Sequence, residues 1–308
     1  MEILNKTSVT FFLLGLSNIP RLQPPFFLIL ILMYMVTLSG NLLIIIVVRL
    51  HSSLQTPMYF FLSNLAFIDI CFSTTIVPNL LKNTISRDRT ISFIGCATQM
   101  YFHLGLGATE CLMLAIMAYD RYIAICKPLK YITIMDKRRC LSLAIGSWTV
   151  SFLISVIHAV LTFRLPYCKS GEVNHFFCEM PPLLRLSCTD TWFNELVVYI
   201  SGVLFTLCSF LLILLSYVHI ISTILKIHFT KGRLKTFSTC TSHLTVVSLY
   251  YGTVMCMYMS PRSSYLPERD RVVSILYTVV TPMLNPIIYS VRNSDFKECT
   301  RKFFSMNF

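Results

Sequence analysis

Charged side chains are distributed along the 308 residues so as to leave long gaps. Lys, Arg, Asp and Glu are absent from residues 22–48, 140–163, 196–225, 236–261 and 272–291, while Asp69 alone interrupts 50–81 and Glu110 alone interrupts 90–119. A helix needs about 20 mostly apolar residues to cross the hydrocarbon layer of a bilayer. Each of the seven gaps meets that length, and there is no eighth. The gaps predict one domain, an all-α bundle of seven membrane-spanning helices. The spans fall near 24–48, 58–80, 93–124, 140–162, 194–226, 235–260 and 270–290, with an external loop at 164–195 and a tail at 291–308.

Composition agrees. Hydrophobic residues make up 55% of the chain and charged residues 13%, about half the charged share of a soluble domain, too little to cover a solvated surface. A net charge of +12 would suit a nucleic-acid binder, but the Lys and Arg residues lie between apolar runs instead of clustering on one face, so nucleic acid is not an expected partner. The uncharged stretch 7–20 ends in Asn18–Ile19–Pro20 and has neither a basic leader nor a small-residue cleavage site. It does not read as a cleavable signal peptide.

Basic residues set the orientation. With the N-terminus outside, the internal segments hold 15 basic residues against 4 acidic ones, and the external segments 11 against 8. The sequon Asn5–Lys6–Thr7 is then external, with Asn5 open to glycosylation. Four cysteines, Cys96, Cys168, Cys178 and Cys188, are external as well. In an oxidising compartment they imply two disulfides with three possible connectivities.

The connections are short except for residues 164–195, which hold three cysteines and the Pro181–Pro182 pair. A loop that long is uncommon unless functional, and here it is placed to act as a lid over the bundle. Past the seventh span, Phe296, Cys299, Phe303 and Phe304 alternate with Lys297, Arg301 and Lys302, a pattern suited to an amphipathic helix on the inner leaflet lipids.

Asp69 and Glu110 are costly inside a membrane unless they face the interior, neutralised by a proton, a cation or hydrogen bonds. Asn41 and Asn285 lie at similar depth. Together the four could hold Na⁺ or water, or simply bond to one another. Asp120–Arg121–Tyr122 closes the third span on the internal side, where an Arg is ordinarily a snorkelling anchor.

Gly40–Asn41, Asp69, Cys96, Asp120–Arg121–Tyr122 and the closing residues 285–289, NPIIY, resemble the rhodopsin-like G-protein-coupled receptors. Longer strings narrow the resemblance to the odorant receptors: PMYFFLSNL at 57–65, MAYDRYIAICKPL at 117–129, Ser216–Tyr217, FSTCTSHL at 237–244 and PMLNP at 282–286. The likeness spans nearly the whole chain, and the second-helix string looks like the larger, tetrapod-type class. Two departures are Thr236 in place of the usual Ala and Tyr250 where the family commonly has Phe.

The resemblance implies a receptor, not an enzyme, at the plasma membrane of olfactory cilia. A small volatile odorant would bind among the helices and a stimulatory, olfactory-type heterotrimeric G protein would raise cAMP. His103, Gly107, Glu110 and Cys111 share one face of the third helix by their spacing. The implied pocket lies at His103, Leu104, Gly107 and Ala108, opposite Ser201 and Phe205, with Tyr251, Met255 and Tyr258 from the sixth helix and Thr278 from the seventh. Asp120, Arg121, Tyr122, Tyr217, Asn285, Pro286 and Tyr289 are implied to form the coupling switch, Asp120 pairing with Arg121 at rest. The implied disulfides are Cys96–Cys178 and Cys168–Cys188.

Other classes fit less well. His-Glu-x-x-His, phosphate-loop and Gly-x-Ser-x-Gly motifs are absent, and His175 and Cys178 beside Glu179 make a weak metal set if Cys178 is a disulfide partner. A transporter would be expected to show duplicated halves. A rhodopsin-like receptor for a non-odorant metabolite is the nearest alternative.

Overall fold

The computed structural model describes residues 10–15, 23–86, 88–167, 171–226, 230–258, 267–292 and 294–307. Long helices dominate: α1 (Gln23–Leu50), α2 (Pro57–Ile85), α3 (Phe93–Cys126), α4 (Lys137–Phe163), α5 (Trp192–Leu225) and α6 (Thr230–Tyr258). The next helix, α7, runs through Pro267–Ile275, a π-helical turn at Leu276–Val280 and Thr281–Arg292, and α8 (Ser294–Asn307) follows it. Among the described residues, six helices (α1 to α5 and α7) are long and apolar enough to cross a membrane. The α6 helix is as long, but Thr, Ser and Tyr residues such as Thr241, Ser242, Thr245, Tyr250 and Tyr251 dilute its apolar run.

Local chemistry explains several of the boundaries. Pro57 opens α2, where its missing N–H costs nothing. Ser92 caps α3 by accepting from the Gly95 amide at 3.1 Å, and Asp136 caps α4 by accepting from the Arg139 amide at 2.8 Å. The α3 helix is the most buried and packs against α2, α4 and α5. By contrast, α5 turns Tyr199, Leu204, Leu215 and Val218 outward, as a lipid-facing helix does. At Gly40, a Cβ would meet the Pro286 ring at 2.9 Å, so glycine lets α1 close on α7.

The structure adds something that the all-helical expectation lacked. β1 (Thr10–Leu13) pairs antiparallel with β2 (Thr90–Ser92) and parallel with β3 (Glu172–Val173). Phe11 and Leu13 point inward and are fully buried, so the N-terminal strand stitches the lid loop to the mouth of the bundle. Arg89 donates to the Leu14 carbonyl at 2.8 Å, and Arg271 donates to the Gly15 carbonyl at 3.2 Å and to Asn174 Oδ1 at 2.6 Å. These bonds run from the strand and the lid to α7 and to the turn before β2. Asn5 lies outside the described residues.

Candidate functional site

Cys96 at the start of α3 is disulfide-bonded to Cys178 in the lid, 82 residues away in sequence. Gln99, one turn further along α3, accepts from the Cys178 amide at 2.9 Å and donates to the Thr75 carbonyl at 3.0 Å. The lid is therefore anchored to α3 covalently and to α2 through one side chain. Cys188 is also disulfide-bonded, and Cys168 lies outside the described residues.

Beneath the lid is a cavity of about 150 Å³. His103, Leu104, Gly107 and Ala108 of α3 and Ser201 and Phe205 of α5 line it. The sixth and seventh helices differ from expectation by one residue each. On α6 the wall is Tyr250 and Val254 instead of Tyr251 and Met255, which sit one position, about 100°, further round the helix. Tyr251 points below the cavity, donating to Ser209 Oγ at 2.6 Å beside the Cys111 sulfur at 3.2 Å. Tyr250 instead donates to the Gly107 carbonyl at 2.6 Å. The Tyr258 side chain lies outside the described residues.

On α7 the wall is Tyr277, not Thr278. Thr278 is fully buried and donates to the Ser274 carbonyl at 2.6 Å. The cause is the π turn at Leu276–Val280. Counting back seven from the inward Asn285 reaches Thr278 in an α-helix, but a π turn inserts one extra residue, so the inward position moves to Tyr277.

A whole wall comes from α4: Ser151, Ile154, Ser155 and His158. Ser147, Ser151, Ser155 and His158 recur at spacings of four, four and three, which gives α4 one polar face. Polar groups in a span face the interior, so this signal was present in the sequence. Phe72 of α2 and Met180 of the lid complete the contributions from elements not expected to reach the cavity.

Above the cavity, Tyr277 donates to Glu179 Oε1 at 3.0 Å, and His175 Nε2 lies 3.4 Å from Glu179 Oε2 without hydrogen-bond geometry. Burial, then the nearby His103 and the Arg271 charge, push His175 down to about 3. The imidazole beside Glu179 is therefore neutral, and the contact is no ion pair.

Deeper in the bundle, Asn285 donates to both Asp69 carboxylate oxygens at 3.1 and 3.0 Å. Asn41 donates to the Thr37 and Pro282 carbonyls at 2.9 and 3.1 Å, reaching α7 one turn above Asn285. Three buried oxygens nearby, Asn41 Oδ1, Asn285 Oδ1 and Glu110 Oε1, have no hydrogen-bond partner among the described residues. Glu110 makes no direct bond to the other three residues of the set.

At the internal end, the expected Asp120–Arg121 pair is not found among the described ion pairs. Asp120 instead accepts from the Tyr131 hydroxyl at 2.9 Å. Burial, with the Asp120 carboxylate adding to it, holds the Tyr131 phenol well above its ordinary range, so it stays a donor. Arg121 is buried beside Cys240, with its Nε unpartnered. Tyr122 turns toward His219, their rings 5.7 Å apart, with the Lys127 ammonium 5.3 Å from its own ring. Tyr217 reaches His243 Nδ1 at 2.9 Å, and His243 Nε2 meets the Leu114 carbonyl at 3.1 Å. A carbonyl can only accept, so Nε2 carries a proton and donates to Leu114. His243 thus joins α3, α5 and α6, a role its place inside the 237–244 string did not disclose. Pro286 packs on Gly40, and the Tyr289 hydroxyl has no partner among the described residues.

Comparison with known proteins bears on the same arrangement. The olfactory receptor family profile matches residues 30–307. Olfactory receptor 1f45 of Rattus norvegicus is 48% identical, covering 100% of this chain and 99% of its own length. Olfactory receptor 2D2 of Homo sapiens is 49% identical over the full length of both chains, and Olfactory receptor 8U3 of Mus musculus is 46% identical over 95% of this chain and 92% of its own. With a profile spanning nearly every helix and full-length relatives close to half identical, the chain belongs to the olfactory receptor family.

Proposed function

We propose that a small volatile odorant binds in the cavity under the lid and that the receptor then activates a stimulatory, olfactory-type heterotrimeric G protein at its internal face, raising cAMP. The family is one of receptors, not enzymes, and the chain is a multi-pass membrane protein. One observation supports the reading most. The α3 helix carries His103 in the cavity wall and Arg121 at the internal end. These lie 18 residues apart, about 27 Å at 1.5 Å per residue, on a single buried helix. A ligand that favours one helix arrangement through its differential affinity can bias the other end.

Asp69 and the unpartnered oxygens of Asn41, Glu110 and Asn285 suit a bound Na⁺, a hard cation that takes oxygen ligands. These residues would hold the ion, which would add positive charge between α1, α2, α3 and α7. Glycosylation at Asn5 and residence in olfactory cilia belong to the same reading. The test is a cell expressing the receptor with the olfactory G protein and a cAMP reporter, exposed to a chemically broad odorant panel. Concentration-dependent cAMP at confirmed surface expression supports it, whereas silence across the panel with the receptor at the surface refutes it.

A further inference from the structure

Two side chains of α6 reach across to carbonyl oxygens of α3. The Tyr250 hydroxyl donates to the Gly107 carbonyl at 2.6 Å, and His243 Nε2 donates to the Leu114 carbonyl at 3.1 Å. The donors are seven residues apart on α6, and the acceptors are seven residues apart on α3. Seven residues come close to two whole helical turns, so each pair shares one face and the two bonds stand about 10 Å apart. The numbering rises on α6 as it falls on α3, so one antiparallel register makes both rungs of a ladder.

The ladder runs from the cavity toward the internal switch. Gly107 and Tyr250 both line the cavity. Seven residues beyond Leu114, on the same face of α3, stands Arg121. The lower rung also carries Tyr217, whose hydroxyl lies 2.9 Å from His243 Nδ1 and 3.4 Å from the Cys240 carbonyl. While both rungs are closed, α6 therefore keeps the hydroxyl that the switch assigns to Arg121. The upper rung is this chain's own addition, because it needs a hydroxyl at position 250, where the family commonly has Phe.

Resting on the reading of the chain as a receptor that signals through cAMP, we propose that the closed ladder is the resting arrangement and that Tyr250 is a positioning residue for activation. Its bond to Gly107 latches α6 to α3 in the cavity wall and sets how much binding free energy a ligand must supply to leave that state. A bond made in one of two arrangements shifts their equilibrium toward that one. For a hydrogen bond between uncharged groups the shift is about two- to tenfold. Because Tyr250 forms part of the cavity wall, a ligand that displaces its ring opens the latch directly.

The first arm of the test needs no ligand. Tyr250→Phe keeps the ring and removes the hydroxyl. Expressed with the olfactory G protein at a surface level matched to wild type, it should raise basal cAMP about two- to tenfold. In the second arm, each odorant of the broad panel that activates wild type should act on the variant at a correspondingly lower EC50, with the maximal response kept. Thr253→Val removes an α6 hydroxyl that is bonded to the Leu249 carbonyl of the same helix at 2.9 Å, and it should leave both values at wild type. A hydroxyl that merely braced the fold would show on removal as reduced surface display without a rise in basal cAMP. If Tyr250→Phe stays inside the cell, Tyr250→Leu is read in its place with the same expected rise. Unchanged or lower basal cAMP at matched surface level, or a higher EC50, overturns the latch and leaves the odorant reading intact. If wild type at the surface gives no cAMP above mock-transfected cells, with or without the panel, the signalling reading falls and the latch with it.

Discussion

The Tyr131 hydroxyl donates to Asp120 Oδ1 at 2.9 Å, so the acid of the Asp120–Arg121–Tyr122 tripeptide is held from the loop after α3 instead of by its neighbour. Asp120 is 1% exposed, and a buried carboxylate that loses a donor costs about 1–3 kcal/mol until it finds another. The nearest available cation is Arg121. Tyr131→Phe should therefore send Asp120 to Arg121, tighten the resting state and lower both basal and stimulated cAMP at unchanged surface level. Wild-type signalling by Tyr131→Phe would show that the Tyr131 bond is only a loop fastener.

The lid depends on the bond between Cys96 and Cys178, which closes a separation of 82 residues. Removing a disulfide across a loop this long costs about 2–5 kcal/mol. It would also free the lid segment whose Cys178 amide donates to Gln99. Cys178→Ser should abolish surface display, as should Cys96→Ser, and the double variant should be no worse than either single one because both remove the same bond. An additive loss in the double variant, read by surface labelling, would contradict this pairing.

His175 gives the lid a pH dependence whose sign follows from its depressed value. Its folded value is pushed down to about 3, against about 6.5 in an unfolded chain. The unfolded chain then binds a proton that the folded lid does not, so this contribution is complete above pH ~6.5 and is lost progressively as pH falls toward 3. Purified receptor should lose thermal stability between pH 6.5 and 5, and His175→Phe should flatten that part of the profile. An unchanged slope in the variant would assign the loss to other groups.

Much of this architecture is legible in the order of the residues. The charge-free gaps coincide with long helices because lipid tolerates no unpaired charge, and α3 carries its inward face by three- and four-residue spacing. The misses have physical causes. A π turn leaves no mark in composition, so the seventh-helix phase slipped from Tyr277 to Thr278. The adjacent Tyr250 and Tyr251 could not be ranked without the partners that separate them, Gly107 and Ser209. The polar face of α4 from Ser147 to His158 leaves no mark in the charge pattern, because hydroxyl residues carry no charge to interrupt a gap. The strand Thr10–Leu13 is specified by pairing with β2 and β3, segments distant in sequence.

Arg121 and Tyr289 are each buried with an atom lacking a partner among the described residues, the guanidinium Nε and the phenol hydroxyl. An unpartnered buried polar group destabilises the state that contains it, so this arrangement is one that a rearrangement can relieve. If activation brings Tyr289 and Tyr217 to Arg121, the guanidinium fork fills several acceptors in one plane, which a lysine ammonium cannot reproduce. Two variants separate this from a snorkelling anchor. Tyr289→Phe removes a hydroxyl that makes no bond among the described residues, so thermal stability should hold or rise slightly while stimulated cAMP falls severalfold. Arg121→Lys keeps the charge, should reach the surface, and should lose most of the ligand response. Full signalling by both variants at wild-type surface level would return Arg121 to the role of a membrane anchor and Tyr289 to simple packing.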